Sequence, residues 1–316
     1  MKFICILAFI CIPFHSFCQF PGPAGSSNST AINYNDPFII AWGDSVIIQR
    51  GVEDIAVVNS PEVTYGLPEY ALGEVNSNVV SLGDGGIATY FFTSPIKNES
   101  GFDFAIFENG FSDEFLELAF VEVSSDGVNF VRFPAHCLIQ DSVQIATYEA
   151  SGDATKIHNL AGKYRVNFGT PFDLDDLIGS SNLDVNQIHF VRIIDVVGSI
   201  DPVFGSTDIN GNYINDPYPT AFASGGFDLD AIAVFHMEGA GIKEQLKSKD
   251  YLPSFSEKGE EFIFNDGESI MFIICDEMGR KIETQENRFG APKISGNYFI
   301  TIIKSGQIHQ ERVVVY

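Results

Sequence analysis

The residues FLELAFVEVSSDGVNFVRF, 115–133, contain two apolar stretches, 116–123 and 129–133, on either side of the turn sequence SSDG at 124–127. Alternation of apolar and polar residues is typical of a half-buried β-strand, and an Asp-Gly pair directly after such a strand is a hairpin signal. The stretch therefore predicts two antiparallel strands joined by a tight turn, and it favours a structural role over a catalytic one for Ser124 and Ser125.

The same pattern recurs along the chain. Further apolar stretches lie at 38–48, 87–92, 102–107, 187–197 and 228–235, and turn clusters such as GDGG at 83–86 and SGG at 224–226 separate them. Few windows have helical periodicity, so we expect helix only in short pieces such as 173–178. Many short strands with turns between them are typical of antiparallel sandwiches and jelly rolls. The sequence therefore predicts an all-β fold.

The chain opens MKFICILAFICIPFHSFCQF, in which Lys2 precedes an apolar stretch and small or polar residues follow it. This pattern predicts a secretory signal peptide at 1–18. A lipid anchor at Cys18 is an alternative, although Phe17 stands where a small residue is expected. No later segment approaches the ~20 apolar residues of a transmembrane helix, so we expect an exported protein without a transmembrane segment.

A polar segment, GAGIKEQLKSKDYLPSFS at 239–256, lacks strand periodicity and is interpreted as a linker. It separates a large domain at 19–238 from a small one at 257–316. About five short apolar stretches within 257–316 predict that this small domain is an immunoglobulin-like β-sandwich. The expected architecture is an antiparallel jelly-roll sandwich followed by this smaller β domain.

The chain has 42 acidic and 18 basic residues, a formal net charge of −24. Such a field repels phosphate backbones, which argues against nucleic acid as a partner, and is consistent with divalent cation binding. Three of the five cysteines lie within 1–18, leaving Cys137 and Cys275, too few for a disulfide framework or a zinc quartet. There is also no H-E-x-x-H, nucleophile elbow or P-loop motif.

The loop DINGNYIND, 208–216, is a candidate calcium site. It is similar to the D-x-[DN]-G-[DN]-x-I-x-D loops of extracellular calcium repeats, and calcium prefers the hard oxygens that such a loop offers. The predicted ligand and anchor residues are Asp208, Asn210, Asn212, Ile214 and Asp216. The alternative is an Asn/Gly turn whose side chains cap their own backbone.

Strand alternation places further acids on apolar faces. Glu108 follows Phe104 and Ile106 on one face, so a buried carboxylate there needs a cation, an arginine or hydrogen-bond donors. Arg192 shares a face with apolar residues around it, and a Glu108–Arg192 pair across the core is one interpretation.

Asp228 and Asp230 are predicted to share a face of the last strand of the large domain, ~7 Å apart. At that distance two carboxylates can share a calcium ion, flank a glycosidic bond or line a solvated sheet edge. The spacing leaves these three alternatives open.

Several motifs resemble one known group of proteins. They are SLGDGG at 81–86, GFDFAIFENGF at 101–111, the stretch 115–133 already quoted, HFVRIIDV at 189–196 and GGFDLDAIAVF at 225–235. Together they resemble bacterial secreted proteins with a discoidin-like, galactose-binding-type β-sandwich, in which a Ser-x-Asp-Gly turn precedes an aromatic residue. The resemblance implies a fold and does not imply an activity.

A second resemblance covers ICDEMGRKIETQENRFGAPKISGNYFITIIKSGQIHQERVVVY, 274–316. This stretch resembles a type IX secretion C-terminal sorting domain, with its D-x-x-G-R strand end, G-x-Y-F strand and lysine-glycine hairpin. It departs from the family at the start, where Tyr251-Leu252-Pro253-Ser254 stands in place of Tyr-Pro-Asn-Pro. The resemblance implies recognition by the type IX secretion machinery and display at, or release from, the cell surface. The alternative is a small β domain with no sorting role.

These observations predict a secreted or cell-surface, non-enzymatic binding or adhesion module, stabilised by calcium, that contacts a glycan or another surface polymer. Trp42, Tyr213 and Tyr218 are candidate stacking residues, unless they are buried. One alternative is an extracellular glycoside or polysaccharide hydrolase that uses two carboxyls among Glu108, Glu117, Asp228 and Asp230. The other is a purely structural surface protein.

Overall fold

The structure, a computed structural model, describes residues 20–238 and, in the C-terminal part, 255–256, 261–263, 270–276, 281–286, 288–304 and 307–315. The predicted signal peptide at 1–18, its alternative lipid anchor at Cys18 and most of the predicted linker lie outside the described residues. Contacts divide the chain into two units, Met1–His236 and Met237–Tyr316. Within the described residues, no helix is long and apolar enough to cross a membrane.

The first unit contains thirteen described strands and three short 3-10 helices. The strands are β1 Ile32–Asn33, β2 Ala41–Trp42, β3 Val46–Gln49, β4 Val80–Ser81, β5 Ile87–Ile96, β6 Phe104–Glu108, β7 Ala119–Ser124, β8 Val131–Arg132, β9 His136–Cys137, β10 Ile157–His158, β11 Phe168–Phe172, β12 Ile188–Asp195 and β13 Asp228–Val234. The 3-10 helices are Pro68–Ala71, Ala154–Lys156 and Leu174–Leu177. The last of them lies within the short helical piece expected from the sequence.

Two antiparallel sheets form the sandwich. One has the order β1-β11-β6-β13-β2, with β4 also paired to β13, and the other has the order β3-β5-β12-β7-β8. A separate ribbon joins β9 to β10. The predicted all-β antiparallel sandwich is therefore confirmed.

Alternation along β6 separates the two faces of the first sheet. Ala105 and Phe107 pack with Ala231 and Ala233 of β13 on one face. Phe104 points the other way, where its ring lies 5.9 Å from the ring of Phe133 beside the second sheet. Burial of one such aromatic side chain contributes ~1.5–3 kcal/mol. The face that carries Phe104 is thus the inner face of the sandwich, and β6 ends on it at Glu108.

The stretch 115–133 forms the predicted hairpin of β7 and β8, with Glu122 opposite Arg132. Asp126 closes its turn, because its Oδ1 accepts hydrogen bonds from the backbone amides of Val128 and Asn129, both at 2.8 Å. Gly127 has φ +74°, a conformation that glycine adopts without steric cost. The Asp-Gly pair thus has the structural role that the sequence favours.

A register shift in β12 places Arg192 away from Glu108. The pairing of β12 with β5 is irregular between Ile188 and Phe190, so the alternation counted through these residues changes face. Arg192 lies 3.4 Å from a Glu122 carboxylate oxygen, and its guanidinium lies 3.4 Å from the ring centroid of Phe130. The Glu108–Arg192 pair considered from the sequence is not formed.

The second unit is described by seven strands: β14 Phe255–Ser256, β15 Glu261–Ile263, β16 Ile270–Asp276, β17 Lys281–Glu286, β18 Arg288–Gly290, β19 Gly296–Lys304 and β20 Gln307–Val315. They form a sheet of order β14-β20-β19-β16-β17 and a ribbon of β15 and β18. Phe272, Phe289 and Ile300 belong to its core. The last two residues of the predicted linker form β14, which pairs with β20 in parallel.

Candidate functional site

A small cavity of about 10 Å³ lies among acidic side chains inside the first unit. Four of its lining residues carry carboxyls: Asp84 in the loop after β4, Glu117 just before β7, Asp195 at the end of β12 and Asp216 in the loop before β13. A cavity of this size has room for about one water molecule.

Backbone amides fix three of these carboxyls. Asp195 accepts hydrogen bonds from the amides of Phe227, at 2.7 Å, and Gly85, at 3.0 Å. Asp84 accepts one from the amide of Ile55 at 2.8 Å. Asp216 accepts one from the amide of Leu118 at 3.0 Å. These donors are neutral, so they orient the carboxyls without supplying a compensating charge.

Two glycines make room for the acids. A Cβ at Gly198 would lie 1.5 Å from Oδ1 of Asp216, and a Cβ at Gly226 would lie 2.7 Å from Oδ1 of Asp195. Gly226 also has φ +72°. The close approach of carboxylate to backbone therefore requires glycine at both positions.

Glu108, at the end of β6, and Asp228, at the start of β13, extend the acidic set within the first sheet. Oε2 of Glu108 accepts a hydrogen bond from the amide of Gly110 at 2.8 Å, whereas the buried Oε1 has no hydrogen-bond partner. Only 2% of Glu108 is exposed. Asp228 accepts a hydrogen bond from the hydroxyl of Ser81. We call Asp84, Glu108, Glu117, Asp195, Asp216 and Asp228 the acidic cluster.

Burial is the main cause that raises the pKa of every carboxyl in the acidic cluster. It raises the pKa values of Asp84 and Asp228 to about 6. The pKa values of Glu108, Glu117, Asp195 and Asp216 are raised well above their ordinary values, with other carboxylates of the cluster as a further cause. The ionised cluster is therefore strained unless a positive charge neutralises it.

The donor chemistry of the acidic cluster suits a hard cation. Calcium takes six to eight oxygens, which include backbone carbonyls and waters as well as carboxylates. Oε1 of Glu108 is buried without a hydrogen-bond partner, but Glu108 is not among the residues that line the cavity of about 10 Å³. As they stand, however, no three His, Cys, Asp or Glu side chains in the described part of the chain are arranged to hold a metal ion. The acids lie near one another but do not enclose one point.

An open cleft of about 440 Å³ adjoins the acidic cluster. Four aromatic residues line it, together with the polar residues Glu117, Thr147, Thr220, Ser224 and Asp228; the aromatic residues are Phe111, Phe115, Tyr148 and Phe222. Phe111 and Tyr148 are each 80% exposed, and the stacked rings of Tyr148 and Phe222 are 5.8 Å apart. Glu117 and Thr220 line both the cleft and the small cavity.

Sequence reasoning missed these cleft aromatics. They come from three loops, near 111–115, 148 and 222, which are distant in the chain and carry no shared motif. The candidate stacking residues lie elsewhere: the ring of Trp42 packs 5.6 Å from that of Phe107, and the hydroxyl of Tyr218 donates to Asp54 at 3.0 Å. Tyr213 forms an isolated bridge with Thr207.

Asp208 and Asp216, at the two ends of the candidate calcium loop, lie in different environments. Asp208 accepts hydrogen bonds from the backbone amides of Asn210 and Asn212, each at 2.9 Å, and from that of Cys137 at 3.2 Å. Burial raises its pKa, but these hydrogen bonds outweigh burial and lower it. Ile214 is fully buried in the core. Asp208 thus closes a turn of the kind described by the capping alternative, whereas Asp216 belongs to the acidic cluster.

Asp228 and Asp230 have separate environments. The two oxygens of Asp230 accept hydrogen bonds from the amides of Asn76 and Ser77, both at 3.2 Å. The pairing of β13 with β6 is irregular between Leu229 and Ala231. Of the two acids, Asp228 lines the cleft, and Asp230 is held by the loop before β4.

No family model and no curated protein matches the chain. Among solved structures, a β-glucuronidase from Ruminococcus gnavus in complex with uronic deoxynojirimycin is 12% identical, with a TM-score of 0.21. The same organism's β-glucuronidase in complex with D-glucuronic acid is 10% identical, also with a TM-score of 0.21. The matches cover 79% and 87% of this chain but only 40% and 47% of those chains. Similarity at this level identifies neither a family nor an activity.

Proposed function

We propose that the protein is an exported, non-enzymatic binding module of the cell surface, stabilised by calcium, that contacts a glycan or another surface polymer through the aromatic cleft. The observation that carries this proposal is the exposure of Phe111 and Tyr148 beside the polar groups of the cleft. Ligand sites combine aromatic surface with a few polar groups that fix orientation, and large exposed apolar patches mark interaction sites.

The chemistry of the cleft favours neutral or amino sugars. Aromatic rings such as that of Tyr148 stack on the apolar faces of sugar rings, and the hydroxyl of Ser224 can donate to and accept from sugar hydroxyls. The hydroxyl of Thr147 donates to the carbonyl of Pro219 at 2.7 Å and can accept from a sugar hydroxyl. Asp228 disfavours sulfated or uronic sugars when it is ionised, because like charges repel in a partly buried site.

The binding proposal is tested by affinity electrophoresis of the full exported chain in gels that contain xylan, mannan or β-glucan, with alginate as an anionic comparison. We expect retardation of the wild-type protein in at least one gel that contains a neutral polysaccharide. In that gel, the retardation of Tyr148→Ala and of Phe222→Ala should be at least tenfold smaller. Tyr65→Ala is the matched control, because Tyr65 is 54% exposed and does not line the cleft. Equal retardation of all three variants would place the ligand elsewhere, and no retardation in any gel would contradict glycan binding.

The export part of the proposal rests on the resemblance of 274–316 to a sorting domain. A truncation that ends at Gly239 removes this segment and leaves the sandwich strands intact. We expect the truncated protein to be absent from the cell surface. Surface display of the truncated protein would contradict a sorting role.

A second candidate function, glycan hydrolysis, is favoured by one observation. Glu117 and Asp228 both line the cleft, and the pKa of each is raised, as for a general acid. Two carboxyls beside a sugar-binding cleft are the minimal apparatus of a glycosidase. Release of reducing ends from the retarding polysaccharide, lost in Glu117→Gln, would establish this activity. Retardation without any release of reducing ends would support the binding module.

A further inference from the structure

We infer that a second cavity of the first unit binds a small zwitterion of the amino-acid class, with its carboxylate toward Lys163 and its ammonium toward Asp173 and Asp176. The cavity has a volume of about 160 Å³, and residues of β10, β11 and the 3-10 helix Leu174–Leu177 line it. We call it the lysine cavity. It shares no lining residue with the aromatic cleft, so the inference goes beyond the proposed function and does not depend on it.

The inner end of the lysine cavity is formed by polar side chains that are almost completely buried. Lys163 and Thr170 are each 4% exposed, and Asn159 is 6% exposed. Oγ1 of Thr170 accepts a hydrogen bond from the backbone amide of Lys163 at 3.2 Å, and its hydroxyl proton can be donated to another acceptor. A buried ammonium group is stable only among acceptors or anions. The inner end therefore suits the carboxylate of a ligand.

A tight turn places Lys163 at this depth. Gly162 has φ +81°, and a Cβ there would lie 1.8 Å from the carbonyl oxygen of Glu117. Only glycine lets the two backbone segments approach so closely. Because this contact and the bond to Thr170 both fix the backbone at Lys163, the cationic end of the cavity is formed before any ligand binds.

The outer end of the lysine cavity carries two carboxyls. Asp173 is half-buried and Asp176 is exposed. Oδ2 of Asp176 accepts a hydrogen bond from Nδ2 of Asn159, and Oδ1 of Asp173 accepts one from the amide of Asp175, both at 2.9 Å. An ionised carboxylate has about four lone-pair sites, so both acids can also accept from a ligand ammonium. Burial is the main cause that raises the pKa of Asp173, and a cation beside it would favour its ionised form.

His158 adds no charge to the lysine cavity at neutral pH. Burial is the main cause that lowers the pKa of this imidazole, which is therefore neutral there. Its ring stacks on that of Phe20, with centroids 5.0 Å apart and an interplanar angle of 12°. Phe102 lines the cavity as well. The walls are thus partly apolar, and the fixed charges are an ammonium at the inner end and two carboxylates at the outer end.

This separation of charge selects the class of ligand. A ligand with only a positive charge would meet Lys163, and one with only a negative charge would meet the two aspartates; like charges repel in a partly buried site. A neutral sugar can form hydrogen bonds at both ends but gains no charge pairing. The volume of about 160 Å³, against about 10 Å³ for the small acidic cavity, has room for a small molecule instead of a single water. A small amino acid satisfies all of these conditions.

The test records two-dimensional amide NMR spectra of the full exported chain during titration with glycine, serine or leucine. Acetate, methylammonium and glucose are the comparison ligands. We expect at least one amino acid to give saturable shifts at 157–163 and 170–177, and to bind at least tenfold more tightly than each comparison ligand. Absence of saturable shifts with all three amino acids at millimolar concentration overturns the inference. Equal affinity for acetate, methylammonium or glucose also overturns it, because one charge or none would then suffice.

Variants of the lysine cavity identify the groups that bind. Lys163→Met keeps the length of the side chain and removes its charge, and we expect it to weaken amino-acid binding at least tenfold. Asp176→Asn should weaken binding by a smaller factor, because solvent screens an exposed charge. Lys156→Met is the matched control, since Lys156 does not line the cavity.

Spectra of the unliganded variants show whether each one is folded. If Lys163→Met does not fold, Asp176→Asn decides the question, because Asp176 is exposed and its amide analogue keeps the size of the side chain. Unchanged affinity in the folded cavity variants overturns the inference, as does an equal loss of affinity in Lys156→Met. No polysaccharide enters this experiment, so its outcome is independent of whether the aromatic cleft binds a glycan.

Discussion

Asp195 and Phe227 are joined by a hydrogen bond of 2.7 Å, from the backbone amide of Phe227 to the carboxyl Oδ1 of Asp195. Asp195 ends β12 of the second sheet, and Phe227 immediately precedes β13 of the first. The bond therefore connects the two sheets at the end of the sandwich where the small cavity lies. A buried acid at this position has a structural role in addition to any role in ligand binding.

Replacement of this acid should destabilise the fold. Asp195→Ala leaves the buried amide of Phe227 without its acceptor, and an unsatisfied buried donor costs ~1–3 kcal/mol; the amide of Gly85, an exposed residue, also loses its acceptor but can bond to water. We expect the free energy of unfolding in urea to fall by about 1–3 kcal/mol, with the m-value unchanged. Asp141→Ala, at an exposed site, is the control and should change stability by less than about 0.5 kcal/mol. Similar stabilities for the two variants would contradict this role.

Addition of a methyl group at Gly198 should disturb the cavity. The new Cβ would lie 1.5 Å from Oδ1 of Asp216, so the carboxyl must move out of its hydrogen bond with the amide of Leu118. We expect Gly198→Ala to lower the free energy of unfolding by ~1–3 kcal/mol, the usual range for overpacking. Gly296→Ala is the control, since the nearest atom to its Cβ would be 3.5 Å away. If both variants had the wild-type Tm in thermal melts, the expectation would be contradicted, because the loop that carries Gly198 would then have adapted to the added methyl group.

Calcium should stabilise the protein. Binding to the native state at about 100 times Kd adds roughly 2.7 kcal/mol to the free energy of unfolding. We therefore expect Tm to rise with calcium concentration and to return to its starting value on addition of EDTA. Magnesium at the same concentration should raise Tm less, because its octahedral geometry suits the site poorly. A Tm that does not change up to millimolar calcium would falsify the proposal that calcium stabilises the protein.

Without calcium, stability should fall as pH rises from about 4 to 7. The pKa values of Asp84 and Asp228 are raised from 3.8 to about 6, so the native state holds protons that the unfolded chain has released in this window. Stability decreases with pH wherever the native state binds more protons. In EDTA we expect a higher Tm at pH 5 than at pH 7.5, and calcium should reduce the difference. The contrary result, a Tm that rises over this window in EDTA, would mean that other groups dominate the titration.

The local sequence determined the strands and turns of the large unit. Period-2 alternation around 119–124 and the Asp-Gly pair at 126–127 specify the β7–β8 hairpin, because the physical causes, side-chain alternation and turn geometry, act within a few residues. The all-β class followed from repetition of such signals. The short 3-10 helix Leu174–Leu177 was also predictable, since Asp173 accepts from the amide of Asp175 at its start.

The tertiary structure decided which acids and aromatics meet. A register shift within β12 turned Arg192 away from Glu108, and sheet packing gathered Asp84, Glu117, Asp195 and Asp216 from four separate segments. Strand alternation predicts the face of a residue within one strand, but a single bulge reverses it. The sequence by itself therefore determined the strands, the hairpin and the acidic excess. Only packing of the two sheets decided where the charges and cleft aromatics converge, because those contacts join residues far apart in the chain.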